Sequence, residues 1–323
     1  MNVEVDKIID VKIDRITTKE ALEKIKLFLL SNKQYHIVTL NPEMIVEAQK
    51  NVKFKNTINE ADLVVPDGIG ILWALDFLKC ITFSGKGRWV VKKNVKKLQV
   101  FVLTLLKLLF NSEHRKNILK YRTHGVDLIY KICELEDIKN KRIFLLGAEK
   151  GIARKTAKVL SEKYSDLNIV GAEVGIRPEI SNFKFPISNK FPISNFQFQN
   201  KDQNTKDQIL DQYLTSFDDT KYNELNDDLI QRINETKPNI ILVAFGAPKQ
   251  EIWIYENLKR LPSVKLAIGI GGSFDFISGK TKRAPLIFQR SGLEWLWRLI
   301  KEPKRIGRIY NATLRFGLMI LRK

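Results

Sequence analysis

The sequence predicts an α/β protein with a mainly parallel sheet, helices on both faces of the sheet, and a basic helical appendage at the C-terminus. Short apolar runs alternate with helical patterns along most of the chain, which predicts right-handed crossovers between parallel strands. The 323 residues are 44% hydrophobic, enough for a full core. Two cysteines and three dispersed histidines argue against a disulfide-stapled domain and a structural zinc protein.

The first third of the chain predicts two strand-to-helix units. Thr18 precedes a helical pattern, and the run YHIVTL then predicts a buried strand. Asn41 and Pro42 stop this strand and open a helix. The run ADLVVPDG predicts a second strand that ends at Asp67 and Gly68, before the helical segment GIGILWAL. Both stops therefore follow strand carboxyl ends, where open α/β sheets bind ligands.

The rest of the core repeats this pattern. KRIFLLGAEKGIARKTAKVLSEKY predicts a strand, a glycine-containing turn and a helix, and NIVGAEVG predicts a further strand. KPNIILVAFGAPKQEIWIYENL predicts a strand, a loop and a helix that begins near Lys249. KLAIGIGGSFDFISG adds a last strand and a glycine-rich loop.

Two stretches interrupt the alternation. Residues 180–226 combine near-repeats of ISNFKFP with a polar tract, which predicts a disordered or loosely packed insertion; stacking of its aromatic rings on a base is the weaker alternative. The second, at about 79–121, contains LQVFVLTLLKLLF from Leu98 to Phe110. This run is shorter than the ~20 residues that span a bilayer. A helix in an anionic membrane interface and an ordinary buried helix both remain open.

Positive charge is concentrated in two segments. The formal net charge is +19, and residues 85–122 and 283–323 carry 18 of these charges. The C-terminal tract also holds Trp295 and Trp297, which favour a membrane interface over a solvated basic tail. The N-terminus has no cleavable apolar core, so we expect a cytoplasmic protein, peripheral on the inner face of the cell membrane.

Three motifs carry candidate chemistry. Asp67 in Pro-Asp-Gly could be a general base, with Thr39 and Asn41 as hydrogen-bonding neighbours, although Pro-Asp-Gly alone is usually a turn. The helix start at Lys249 and Gln250 could bind phosphate or be a simple helix cap. The third motif is the C-terminal tract, whose arginine forks match diphosphate geometry; its candidate ligands are Arg298, Arg305 and Arg308, the last two on one helical face if the helix continues past Pro303.

Several common signatures are missing from the sequence. It has no Asp-x-Asp metal clamp, no P-loop, no G-x-G-x-x-G fingerprint and no G-x-S-x-G elbow. Their absence argues against a kinase, a conventional dehydrogenase and a serine hydrolase.

Seven blocks together resemble the WecG/TagA/CpsF glycosyltransferases, glycosyltransferase family 26. They are TLNPEM, ADLVVPDGIG, RTHGVDL, IFLLGAEKGIA, KPNIILVAFGAPKQE, GIGGSFDFISGKTKRAP and GLEWLWRLIKEPKR. The resemblance implies a Rossmann-like core over residues 1–282 and an appendage over residues 283–323 that docks on membrane and closes the active site. It also implies inverting transfer of a sugar, N-acetylmannosamine in the teichoic-acid branch, from a UDP-sugar to undecaprenyl-diphosphate-linked N-acetylglucosamine.

The resemblance also implies roles for individual residues. Asp67 matches the proposed catalytic base, and Thr39, Asn41 and Gln250 match polar active-site residues. Arg122 resembles an arginine that the family carries before its Gly-x-Asp element. The appendage arginines at the diphosphate are matched by Arg298, Arg305 and Arg308. The family is thought to need no metal, so we expect no cofactor; the UDP-sugar is a substrate.

Expected partners are the UDP-sugar donor, the polyprenyl-diphosphate acceptor and an anionic membrane surface, without nucleic acid; a homo-oligomer remains open. This chain departs from its relatives by a longer connection over residues 69–121 and by the repeat-rich insertion. A basic nucleic-acid-binding protein and a non-catalytic membrane scaffold of the same fold are the alternative functions.

Overall fold

The predicted parallel sheet forms the centre of the protein. The computed structural model describes residues 5–84, 93–175 and 219–322. Within them, six parallel strands pair in the order β4-β3-β8-β7-β5-β6. These strands are β3 (Tyr35–Leu40), β4 (Leu63–Pro66), β5 (Arg142–Gly147), β6 (Asn168–Glu173), β7 (Ile240–Ala244) and β8 (Leu266–Gly269). The predicted fold class is confirmed.

Alternate side chains of each strand face opposite sides of this sheet. In β3, Ile37 joins one buried cluster and Val38 joins another; in β5, Leu145 and Leu146 divide in the same way. Strands buried on both faces carry near-continuous apolar runs, which explains the blocks that predicted them. Helices cover both faces of the sheet as a result.

One helix precedes these six strands, and the others fall between and after them. Those of the core up to β7 are α1 (Thr18–Leu30), α2 (Pro42–Ala48), α3 (Val52–Glu60), α4 (Ile69–Ser84), α5 (Lys93–Phe110), α6 (Ser112–Leu119), α7 (Gly125–Cys133), α8 (Ile152–Lys163) and α9 (Asp219–Glu235). After β7 come α10 (Lys249–Asn257), α11 (Ser273–Ile277), α12 (Leu286–Ser291), α13 (Glu294–Lys301), α14 (Ile306–Tyr310) and α15 (Phe316–Arg322). The cap of α1 is Thr17 rather than Thr18, because Thr17 and Glu20 form a reciprocal capping box.

An antiparallel hairpin precedes the first helix, and the sequence patterns did not predict it. It consists of β1 (Val5–Ile8) and β2 (Val11–Asp14), joined through Ile9 and Asp10 at positive φ. A two-residue turn without glycine gives no strong hairpin signal. The Asp14 carboxylate accepts the backbone N–H of Val64 at 2.7 Å, which ties the hairpin to β4.

The interruption at 79–121 contains α5 and α6. The inner face of α5 packs on α4, where Phe101 meets Trp73 edge to face at 4.9 Å. Its outer face exposes the apolar side chains Leu98, Val102, Leu103, Leu106 and Phe110. One side of α5 is therefore buried, as the buried-helix alternative predicts, and contact of its exposed apolar side with a membrane stays a prediction. None of the described helices has the length and apolarity that crossing a bilayer requires.

The repeat-rich insertion ends earlier than predicted. Residues 176–218 lie outside the described part of the chain, whereas 219–226 already belong to α9. Asn226 is buried and accepts a hydrogen bond from the indole N–H of Trp253 at 2.8 Å. The prediction of a loosely packed segment is therefore wrong for 219–226, because the polar sequence there hid a helix with a buried side.

The C-terminal appendage is a series of short helices that returns to the core. The helix does not continue unbroken past Pro303: α13 ends at Lys301, and Pro303–Arg305 forms a 3-10 turn before α14. A π-helical turn over Asn311–Arg315 then leads to α15. Phe316 and Ile320 of α15 are fully buried in the cluster shared with α2 and α4. These two side chains anchor the appendage beside the sheet.

Candidate active site

Asp67 lies directly after β4, at the carboxyl edge of the sheet. Its backbone N–H donates to the carbonyl of Leu40 at 2.7 Å, and Gly68 follows at φ +101°. The side chain is half-buried, and none of the described residues donates a hydrogen bond to its carboxylate. Burial raises the pKa of Asp67 above its ordinary value, while the positive charges of His124, Arg122 and Arg298 lower it.

A short loop before α7 brings Arg122 and His124 to this carboxylate. The backbone N–H of Thr123 donates to the carbonyl of Pro66 at 2.9 Å, so the loop runs beside the end of β4. Arg122 also donates to the carbonyl of Gln289 at 2.9 Å. The structure thus brings the charge of Arg122 close to Asp67, and its contact with substrate stays a prediction. His124 was missed because the histidines were considered only as zinc ligands, although it lies in the RTHGVDL block.

Glu294 of the appendage completes a charged network around His124. Its carboxylate lies 2.8 Å from Nε2 of His124, 3.7 Å from Arg122 and 3.5 Å from Arg283. These cations lower the pKa of Glu294 to about 2 in spite of its burial. Arg283 also binds both oxygens of Asp127 at 2.5 and 2.7 Å. The appendage is thereby attached to α7 and to its preceding loop at the site itself.

The three predicted appendage arginines lie together on the same side of the site. The guanidinium of Arg298 lies over the ring of Phe276 at 4.6 Å, and Arg308 donates to Glu43 of α2 at 2.7 and 3.0 Å. Burial and the charges of Arg305 and Arg308 lower the pKa of Arg298 to about 10. Arg305 is paired with Glu302 at 2.8 Å and Arg308 with Glu43. Arg298 has no ion pair among the described residues, so an added anion is favoured most at Arg298.

Thr39 and Asn41 lie at the end of β3, next to Asp67. The Thr39 hydroxyl is buried and donates to the carbonyl of Gly269 at 2.9 Å, which joins β3 to β8. The side chain of Asn41 caps α2 by accepting the N–H of Met44. Both residues lie at the carboxyl edge of the sheet, as predicted. Their side chains form hydrogen bonds with backbone groups of that edge. Their contacts with substrate remain a prediction.

Gln250 is buried at the start of α10. Its amide oxygen accepts the backbone N–H groups of Gly246 and Gly271 at 3.0 Å each, and its Nε2 donates to Glu251 at 2.7 Å. One side chain therefore holds together the loops that follow β7 and β8. These bonds give Gln250 a structural task that the sequence did not reveal, and its contact with a sugar or diphosphate remains a prediction.

This geometry suits group transfer to a hydroxyl. A half-buried carboxylate without a hydrogen-bond donor can accept a proton, and a neighbouring group of arginines can stabilise a leaving anion. Among the described residues, no three His, Cys, Asp or Glu side chains gather as they would around a metal ion. Metal independence itself stays a prediction.

Sequence comparison agrees with this chemistry. The sequence model described as "Glycosyl transferase WecG/TagA/CpsF family" matches residues 6–84, 100–182 and 199–323. The chain belongs to this glycosyltransferase family. The two internal unmatched stretches, 85–99 and 183–198, fall inside the two interruptions of the α/β pattern.

Relatives of known name share most of the chain. A Bacillus spizizenii protein is 27% identical over 284 residues, which cover 88% of this chain and 78% of the relative. A Staphylococcus aureus (strain MRSA252) protein is 24% identical over 309 residues, which cover 95% and 89% of the two chains. Both relatives are named N-acetylglucosaminyldiphosphoundecaprenol N-acetyl-beta-D-mannosaminyltransferase.

Proposed function

We propose that this glycosyltransferase moves N-acetylmannosamine from its UDP-sugar to undecaprenyl-diphosphate-linked N-acetylglucosamine, with inversion, in cell-surface polysaccharide or teichoic acid synthesis. The names of the two relatives support this choice of sugar and acceptor. The observation that carries the proposal is the carboxylate of Asp67 beside a group of arginines at the carboxyl edge of the sheet. Neither rival function, nucleic-acid binding or scaffolding, requires a carboxylate at that point.

The reaction needs an activated oxygen and a stabilised leaving group. Asp67 takes the proton of the acceptor hydroxyl as its oxygen forms the new bond to the anomeric carbon. The bond from that carbon to the UDP oxygen breaks, and UDP leaves with the electron pair. Arg298, Arg305 and Arg308 then stabilise the charge that grows on the diphosphate. Asp67 must be ionised to act as the base. Its raised pKa lies closer to neutral pH, where a general base is most effective.

The lipid-linked acceptor requires a membrane, and we assign two exposed apolar surfaces to it. The outer face of α5 is the first. The second lies on the appendage, where Trp295, Ile300, Ile306, Tyr310, Leu314 and Leu318 are exposed. The helices α5 and α15 that carry parts of these surfaces pack on each other, because Phe101 of α5 lies against Gly317 of α15. Basic residues around both surfaces favour an anionic lipid surface, at about 1 kcal/mol for each basic group near it. The protein would thus be peripheral on the cytoplasmic face.

Release of UDP by the purified protein tests the proposal. The assay supplies UDP-N-acetylmannosamine, UDP-N-acetylmannosaminuronic acid or UDP-glucose with a short-chain lipid-diphosphate N-acetylglucosamine acceptor. We expect acceptor-dependent release with the first donor, with and without a chelator. Asp67→Asn should lower turnover by about three orders of magnitude, because the asparagine side chain cannot accept the proton. The melting temperature should stay unchanged, because asparagine has nearly the same shape as aspartate.

Three results would reject parts of this proposal. Full turnover of Asp67→Asn would show that another group is the base. No release from any donor, together with DNA binding that weakens steeply with salt, would favour the nucleic-acid alternative. Vesicle flotation without any release would favour the membrane scaffold.

A further inference from the structure

The negative charge of Glu294 opposes ionisation of Asp67, the proposed base. Glu294 is a second carboxylate that the appendage brings close enough to raise the pKa of Asp67 by repulsion. Burial acts in the same direction, so a neutral, inactive Asp67 is favoured by both effects. Three cations oppose them, namely Arg122 and His124 from the loop before α7 and Arg298 from α13.

His124 is the member of this group that touches the second carboxylate directly. Its Nε2 lies 2.8 Å from Glu294 and donates a hydrogen bond to that carboxylate, which the neutral Nε2–H ring and the charged ring can both do. Its Nδ1 is buried and has no hydrogen-bond partner among the described residues. Burial lowers the pKa of the ring, as does the charge of Arg283, but Asp67 and Glu294 together raise it by more, so the net shift is upward.

The two arginines beside Glu294 have other partners. Arg283 binds both oxygens of Asp127, and Arg122 donates to the carbonyl of Gln289. Among the three basic side chains beside Glu294, His124 is the one whose charge titrates near neutral pH, and in its charged form it acts on both Glu294 and Asp67. Its position is fixed, because the loop that holds it is bonded to β4 through Thr123.

We propose that His124 is a positioning residue for the base: paired with Glu294 of the seated appendage, its protonated ring keeps the Asp67 carboxylate ionised. The appendage carries both Glu294 and Arg298. When it is packed on the core, the ionised Asp67 and the arginines are therefore present at the site together. This inference rests on the proposed function for its role in turnover, but its electrostatic content stands without it.

The pH dependence of kcat/KM for UDP release tests the proposal. Activity rises with pH as Asp67 ionises, and loss of the neighbouring cation raises the pKa of Asp67. In His124→Gln we therefore expect the acid limb to move up by about one pH unit, with a loss of about tenfold below the limb and near-recovery above it. Adding Glu294→Gln to this variant should move the limb part of the way back, because the repelling carboxylate is gone.

His114→Gln is the matched control. His114 also pairs with a carboxylate, Asp76, at 3.2 Å and with similar exposure, but on α6 and α4. We expect it to leave the profile unchanged. A loss of equal size at every pH in His124→Gln would indicate a merely structural role, and an unmoved limb would likewise overturn the proposal.

A titration by NMR separates this inference from the proposed function. The carboxyl carbon of Asp67 is followed with pH in the wild type and in His124→Gln, with no substrate present. A higher pKa in the variant supports the inference even if no donor is turned over; an equal pKa rejects it even if the enzyme is active.

Discussion

Phe316→Ala should detach the appendage from the core. Phe316 is only 1% exposed and lies in the cluster shared with α2 and α4. Replacing a buried phenylalanine by alanine costs about 3–5 kcal/mol. The ion pairs Arg308 to Glu43 and Arg283 to Asp127 are partly exposed, and such pairs contribute about 0.2–1 kcal/mol each. The apolar anchor therefore outweighs either ion pair.

Local opening of the appendage is the expected result. A loss of 3–5 kcal/mol raises an open population by roughly two to four orders of magnitude, since 1.4 kcal/mol corresponds to a factor of ten. Trypsin should then cut within residues 283–323, which contain ten lysines and arginines, well before it cuts the core. UDP release should fall in parallel, because Arg298, Arg305 and Arg308 leave the site.

Leu318→Ala is the control on the same helix. Leu318 is 49% exposed, so its truncation should change stability by less than about 0.5 kcal/mol. The reasoning fails if Phe316→Ala keeps full protection from trypsin, or if Leu318→Ala loses as much. It also fails if 1 M salt alone releases the wild-type appendage, since salt weakens exposed ion pairs and leaves the apolar anchor intact.

Two further predictions concern burial and the membrane. Glu251 is fully buried with a pKa of about 7, above its ordinary 4.5, so stability should fall by about 3 kcal/mol as pH rises from 4.5 to 7. Glu251→Gln should flatten this slope in melting curves at pH 5 and 8, and an unchanged slope would contradict the prediction. Adding Leu103→Glu and Leu106→Glu to the outer face of α5 should reduce flotation with anionic vesicles at least tenfold. Leu27→Glu, at an exposed leucine of α1, should leave flotation unchanged, and equal losses in both would reject a specific face.

Local sequence signals predicted most of the core and the strand ends at which several candidate site residues lie. The runs YHIVTL and ADLVVPDG placed Thr39, Asn41 and Asp67 at strand ends, because strands buried on both faces are apolar without interruption. The hairpin β1-β2 was not predicted, since its four-residue strands and glycine-free turn give weak signals. The start of α9 was hidden in the same way by a polar sequence.

The sequence by itself determined that Asp67 follows a strand and that arginines cluster near the C-terminus. Only the tertiary structure decided that His124, Glu294 and Arg298 meet Asp67, and that Gln250 holds two loops together. The physical reason is separation along the chain. Periodicity and turn chemistry act between near neighbours, whereas a carboxylate at position 67 acquires its charge environment from position 294 through the burial of Phe316 and Ile320.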